Sequence, residues 1–120
     1  LAESRRRRGG SRGHKYGVSP AAERTVGGTL FGSKAEARRW VELEELRAAG
    51  AVRFTLRQVP FHLPGGVRYV ADFAVFWADG RVTFEDVKGH ATEAYRVKKR
   101  LVEALFPVVV QEVRAPRRRG

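Results

Sequence analysis

The order of hydrophobic patterns predicts an α/β domain in the sequence helix, three strands, helix, strand, an αβββαβ core with a central mixed sheet and flanking helices. Three observations carry this expectation. A helical period runs from about residue 34 to 49, three strand-like stretches follow between 52 and 88, and a second helix leads into a final apolar run. Ser33 opens the first helix, with Glu36 three residues on as in a capping box, and Gly50 closes it. Next, Val52, Phe54, Leu56 and Gln58 alternate with Arg53, Thr55 and Arg57, the pattern of a half-buried strand that Pro60 and the Leu63-Pro64-Gly65-Gly66 turn bring to an end. Residues 68–77 are apolar at nearly every position, as a central strand covered on both faces would be. Ala78-Asp79-Gly80 turns the chain into a hairpin partner over 81–88. Gly89 and His90 lead to the second helix, about 92–105, which Pro107 stops before a last strand over 108–113. Val26 to Gly32 reads as a hairpin or extended approach to the first helix.

At 120 residues with 42% hydrophobic content, the chain has enough apolar surface for one small core. No apolar run is long enough to span a bilayer, and no apolar h-region follows the arginine-rich start, so a cytoplasmic location is expected. The absence of cysteine excludes disulfides, thiolate zinc sites and thiol nucleophiles. Methionine and asparagine are absent too, and 19 Arg stand against 5 Lys, a bias that fits a thermophile or a GC-rich genome. The net charge of +11 is unevenly placed. Residues 1–24 carry +5, including Arg5, Arg6, Arg7, Arg8, Arg12 and Lys15, and residues 114–120 carry +4, including Arg117, Arg118 and Arg119. The middle is nearly balanced. The expected organisation is therefore a basic arm over 1–24, unstructured until bound, a domain over 25–113 and a basic tail over 114–120. Such arms suit a polyanion, because each neutralised phosphate releases condensed counterions. Solubility or attraction to acidic membranes would also explain them, but no amphipathic helix accompanies them.

Three acids and a lysine stand out in the balanced middle. On a helical wheel Trp40, Leu43 and Leu46 all fall within about 80° of Glu36, so this carboxylate points from the apolar face while Glu42 and Glu45 lie on the far side. Either it turns back to its own N-cap amide or it serves a cation. Asp72 is the only charge in the apolar run from 69 to 78. Asp86 and Lys88 share a strand face at period two, which is either a strand-edge ion pair or part of a site. Glu85 points the other way and is expected to be solvated or paired with a tail arginine. The hairpin decides the matter. A two-residue loop makes paired positions sum to 159 and puts Asp72 opposite Val87. A three-residue loop with a left-handed Gly80 makes them sum to 158 and puts Asp72 opposite Asp86. Two carboxylates in that position repel and want a divalent cation or a shared proton, and Glu36 would complete an all-oxygen site for Mg²⁺, with Mn²⁺ as a substitute.

A helix glutamate, an Asp on a hairpin and an Asp-x-Lys on its partner strand resemble the PD-(D/E)XK nuclease superfamily. Glu36, Asp72, Asp86 and Lys88 match its four positions in order. Phe31-Gly32-Ser33-Lys34-Ala35-Glu36-Ala37, Gln58-Val59-Pro60, Tyr69-Val70-Ala71-Asp72-Phe73 and Glu85-Asp86-Val87-Lys88-Gly89, with Lys15-Tyr16-Gly17, are similar to a phage-borne branch related to archaeal-type Holliday junction resolvases. Ala71 stands where the motif's proline would be. The resemblance covers about residues 15–113 and implies a restriction-endonuclease-like core. It implies that Asp72, Asp86 and the Val87 carbonyl hold the metal, that Glu36 holds a second ion or an ordered water, and that Lys88 orients the attacking water. It further implies a homodimeric, Mg²⁺-dependent endonuclease that cuts four-way DNA junctions. Lys98 and Lys99, with Arg96 and Arg100, are candidate phosphate contacts or simply a solvated helix face. Gln58 is a candidate to support a metal ligand, or a strand-end hydrogen bond. His14, His62 and His90 are too scattered for a metal trio. The alternatives are a restriction- or repair-type endonuclease of the same superfamily and a non-catalytic basic module binding nucleic acid.

Overall fold

The computed structural model describes residues 19–88 and 91–114. The expectations placed on Arg5, Arg6, Arg7, Arg8, Arg12, Lys15, Arg117, Arg118 and Arg119, and on His14, Gly89 and His90, lie outside the described residues. The chain falls into two compact units that divide between Val41 and Glu42.

In the first unit, β1 (Thr25–Val26) and β2 (Thr29–Leu30) form a small antiparallel hairpin. It is preceded by a 3₁₀ turn, Ala21–Arg24. Residues 19–24 of the arm expected over 1–24 thus belong to the described structure, and the rest of that expectation lies outside the described residues. Arg24 is committed to the fold, its guanidinium donating to the carbonyls of Ser19 and Phe31, both at 2.8 Å. Helix α1 (Lys34–Ala48) begins here as its cap predicts, with the Glu36 N–H donating to Ser33 Oγ at 3.0 Å. Glu36 and Ala37 are buried, and Trp40 lies 5.8 Å from the buried ring of Phe31.

The second unit, which takes in the end of α1, is a four-stranded mixed sheet ordered β3-β4-β5-β6. Strands β3 (Val52–Leu63), β4 (Val67–Trp77) and β5 (Val82–Lys88) run as an antiparallel meander, and α2 (Glu93–Leu105) carries the chain to β6 (Val110–Arg114), parallel to β5. The order αβββαβ is as the sequence predicts. The α2 stripe of Tyr95 and Val102 closes over Phe61, Leu63, Tyr69, Ala71 and Val110. Phe61 meets Phe84 and Phe106 edge-on, with centroids 5.4 and 5.3 Å apart.

Strand β3 departs from expectation in two ways. Pro60 does not end it. The strand continues to Leu63 because β3 is an edge, and proline's missing N–H costs no ladder bond on the open side. Phe54 and Leu56 also do not share the buried face of Val52. A register shift between Val52 and Phe54 reverses the expected faces, leaving both about half exposed while Thr55 and Arg57 turn inward. A second irregularity follows at Gln58, whose φ of 51° is left-handed. Leu56 shares a row with Ala74, Phe84 and Val110, on the face that α2 covers. Val59 and Phe61 lie on that same face, so strand alternation slips by one at Gln58. Asp72, its opposite number on β4, sits at the same slip.

Candidate active site

The turn after β4 is the three-residue one. The Trp77 N–H donates to the Arg81 carbonyl, the Gly80 N–H returns to the Trp77 carbonyl, and Gly80 has φ 96°. Paired positions sum to 158, from Phe76↔Val82 to Phe73↔Glu85. This register continues to Asp72 and Asp86, and there the ladder opens. Asp86 Oδ1 accepts the Asp72 N–H at 3.3 Å, and Asp72 Oδ2 accepts the Val87 N–H at 2.9 Å. Each carboxylate takes an amide that a regular ladder would give to a carbonyl. Beyond this point β4 stays with β3 while β5 follows β6 through Lys88↔Arg114. The two central strands form a fork, and the two aspartates sit in its crotch.

Burial decides the electrostatics. Asp86 is 2% exposed, and its Oδ2 is buried with no hydrogen-bond partner. That burial pushes its carboxyl up to about 6, against the pull of Lys88 and of the Asp72 amide. Burial also raises Asp72, opposed by the Val87 amide, Lys88, Arg57 and a hydrogen bond from the Gln58 side chain. Lys88 extends its ammonium over the Tyr95 ring at 4.2 Å. Tyr95 donates its hydroxyl to Glu112 Oε2 at 3.1 Å, and burial with the nearby acids Asp86 and Glu112 keeps this phenol protonated.

The residues fit a hard divalent cation. An orphaned, buried carboxylate oxygen beside a second carboxylate is an oxygen donor set with unused lone pairs. Among the described residues no three His, Asp or Glu side chains gather into a metal-holding group. Mg²⁺ commonly needs only one or two carboxylates, with water and substrate phosphate oxygens completing its shell.

Metal-free protein should lose stability as pH rises from about 4 to about 6. Native Asp86 holds a proton that the unfolded chain, with an ordinary carboxyl near 3.8, releases earlier, so the native state is favoured at the acid end and loses that advantage through pH 6. Denaturant melts of wild type across this range should show the decline, and Asp86→Asn should flatten it.

The structure thus brings together Asp72, Asp86, Val87 and Lys88. Glu36 belongs to the first unit, where it is buried as its helical position predicts. A Cβ built on Gly32 would stand only 3.0 Å from Glu36 Oε1, so the glycine makes room for this carboxylate. Glu85 is not solvated. It is 3% exposed, because its row, Arg57–Phe73–Glu85, lies under cover. Lys98 is half-buried, Arg96 pairs with Glu93, and Lys99 pairs with Glu103 at 3.0 Å. His62 lies exposed on β3.

Gln58 carries a consequence of its own. A left-handed glutamine inside a strand is strained, by roughly 1–3 kcal/mol, yet it places its amide on Asp72. Gln58→Gly should relieve the strain and raise the melting temperature while weakening the Mg²⁺-induced thermal shift. A variant that melts earlier with the shift unchanged would make Gln58 a scaffold residue only.

A mixed sheet split by an acidic fork defines the class: an α/β domain whose central strands present a paired carboxylate and a lysine. The chain belongs to the family described as a protein of unknown function, DUF1064, whose model matches residues 14–118. No curated protein matches the chain significantly.

Proposed function

We propose that this protein is a metal-dependent DNA endonuclease of the PD-(D/E)XK type, with a four-way junction as its substrate and a homodimer as its working form. The observation that carries the reading is Asp86 Oδ2, a buried carboxylate oxygen with no partner, in a fork with Asp72 and under the influence of Lys88. A plain binding module gains nothing from buried acids where phosphates must approach. In this reading Asp72, Asp86 and the Val87 carbonyl hold Mg²⁺, and Glu36 serves a second ion or an ordered water. Bound Mg²⁺ supplies a lower pKa for water and positive charge at the non-bridging phosphate oxygens. Lys88, held by the Tyr95 ring, orients the attacking water and balances the charge that builds on the phosphorane. Water adds to phosphorus, the P–O bond to the leaving sugar breaks, and that oxygen departs with a proton as an alcohol. A two-fold dimer would set two such sites against the symmetric strands of a junction.

Side-by-side digestion of a four-way junction, a Y-fork and plain duplex tests this, with cutting of the junction in Mg²⁺ and none in EDTA as the expected result. No cutting of any of the three would contradict it, and preference for duplex would favour a restriction- or repair-type enzyme. The terminal arginines supply the affinity in this account, since residues 1–24 and 114–120 hold about nine of the eleven net charges. Deleting residues 1–18 and 115–120 should weaken junction binding and flatten its salt dependence, while cleavage at saturating enzyme and low salt survives. An unchanged salt slope would rule the arms out as a DNA-binding device.

A further inference from the structure

At the mouth of the fork, where β4 and β5 have parted, lies a cavity of about 370 Å³ lined by Arg68, Tyr69, Lys88, Thr92, Tyr95 and Lys98, with Val70 and Ala94. We propose that this cavity binds a backbone phosphate of the nucleic acid, next to the phosphate at Asp72 and Asp86. The proposal rests on the nuclease reading for the identity of the strand, though the anion site itself follows from the cavity.

Four kinds of donor converge there. Arg68 comes from β4, Lys88 from β5 and Lys98 from α2, so three separate elements each bring a cation to one space. Neither Arg68 nor Lys98 has a carboxylate within ion-pair distance among the described residues, whereas Arg96, which follows Tyr95 on α2 but does not line the cavity, pairs with Glu93. Thr92 caps α2 by accepting the Tyr95 N–H at 3.1 Å, and the remaining first-turn amides of this thirteen-residue helix carry its partial positive charge. Independent of these charges, Tyr69 is 5% exposed and its hydroxyl is buried with no hydrogen-bond partner. A phenol buried unsatisfied is uncommon in a folded protein and calls for an acceptor that arrives later. A guanidinium, ammonium groups, helix amides and a hydroxyl donor match a tetrahedral phosphate, which accepts from several directions at once. The carboxylate of an acidic side chain would leave part of this donor set unused.

Lys88 belongs both to the cavity and to the electrostatics of the aspartates, so it ties the two places together. A strand lying along the fork would be gripped at one phosphate in the cavity and held for attack at the next. Gripping the neighbouring phosphate is a way to position a reacting one, because it fixes orientation without touching the bond that breaks.

The test uses the full chain. In metal-free wild type, titration with inorganic phosphate should shift the backbone amides of Glu93, Ala94 and Tyr95, and Arg68→Ala should abolish those shifts. Tyr69→Phe should melt at the same temperature or higher, since it removes an unsatisfied hydroxyl, while junction affinity in Ca²⁺ falls several-fold. Arg68→Ala and Lys98→Ala should each lower the slope of log affinity against log salt by about one. The double variant should lower it by little more than either, because both cations hold one phosphate. An earlier melt for Tyr69→Phe with unchanged phosphate shifts and affinity would overturn the proposal, as would slopes that add to two. Wild type that cuts no DNA but keeps Arg68-dependent phosphate shifts would defeat the nuclease reading and leave an anion site. Wild type that cuts, alongside variants that bind phosphate and junction as before, would defeat the cavity alone.

Discussion

Asp86→Asn is expected to abolish junction cleavage, by at least about 10²–10³-fold, while leaving the fold at least as stable as wild type. The carboxylate is almost fully buried, with one oxygen on the Asp72 N–H and the other unpartnered. Asparagine keeps the shape and the Oδ1 acceptor but carries no charge to desolvate. Since burial pushes Asp86 up to about 6, its ionised form at neutral pH works against the fold, and removing that charge should raise stability by up to about 1 kcal/mol. A scaffold ion pair with Lys88 predicts the reverse: earlier melting and intact activity. Thermal melts and junction digestion on one preparation distinguish the two outcomes.

Lys88→Ala should be equally severe for cleavage and much milder for binding. Its ammonium lowers both Asp72 and Asp86, so removing it leaves two buried acids with less compensating charge and the attacked phosphate without its nearest cation. Cleavage should fall by about 10²–10³-fold. Junction affinity should fall by less than about tenfold, because most of the positive charge sits near the termini. Lys88→Arg keeps the charge but should not restore the rate, since a planar guanidinium does not reproduce a compact ammonium above the Tyr95 ring. Gel-shift affinities in Ca²⁺ and single-turnover rates in Mg²⁺ measure the two effects separately. Loss of binding in step with loss of cleavage would make Lys88 chiefly an affinity contact.

The parts of this site that sequence alone reveals are those governed by local rules. A glycine in third place of Ala78-Asp79-Gly80 sets the 158 register, and that register alone puts Asp72 across from Asp86. In the first unit, helical spacing puts Glu36 on the buried stripe of α1, a reading that stands apart from the fork. Misreadings arise where two irregularities change the period of a strand. The shift after Val52 moves Phe54 and Leu56 to the opposite face from Val52, where both stay about half exposed, and the left-handed Gln58 reverses alternation again, so a simple period of two misassigns most of β3. Glu85 reads as solvated because a lone strand does not reveal that the row through Arg57 and Phe73 is covered. Arg68 and Tyr69 do not stand out in the sequence as cavity-lining residues for a related reason. Their cavity exists only because β4 and β5 part at the aspartates and α2 begins beside them, which no single segment encodes. The signal that was present is an arginine and a tyrosine just ahead of the anomalous Asp72.

In the nuclease reading, the fork between β4 and β5 holds a divalent cation. Calorimetric titration of Mn²⁺ into the metal-free full chain, beside the Asp72→Asn/Asp86→Asn double variant, tests it most directly. Saturable binding by wild type, with Mg²⁺ competing, and none by the folded double variant is the predicted result. Equal binding by both proteins, or binding by neither with or without a cleavage-blocked junction, would contradict it.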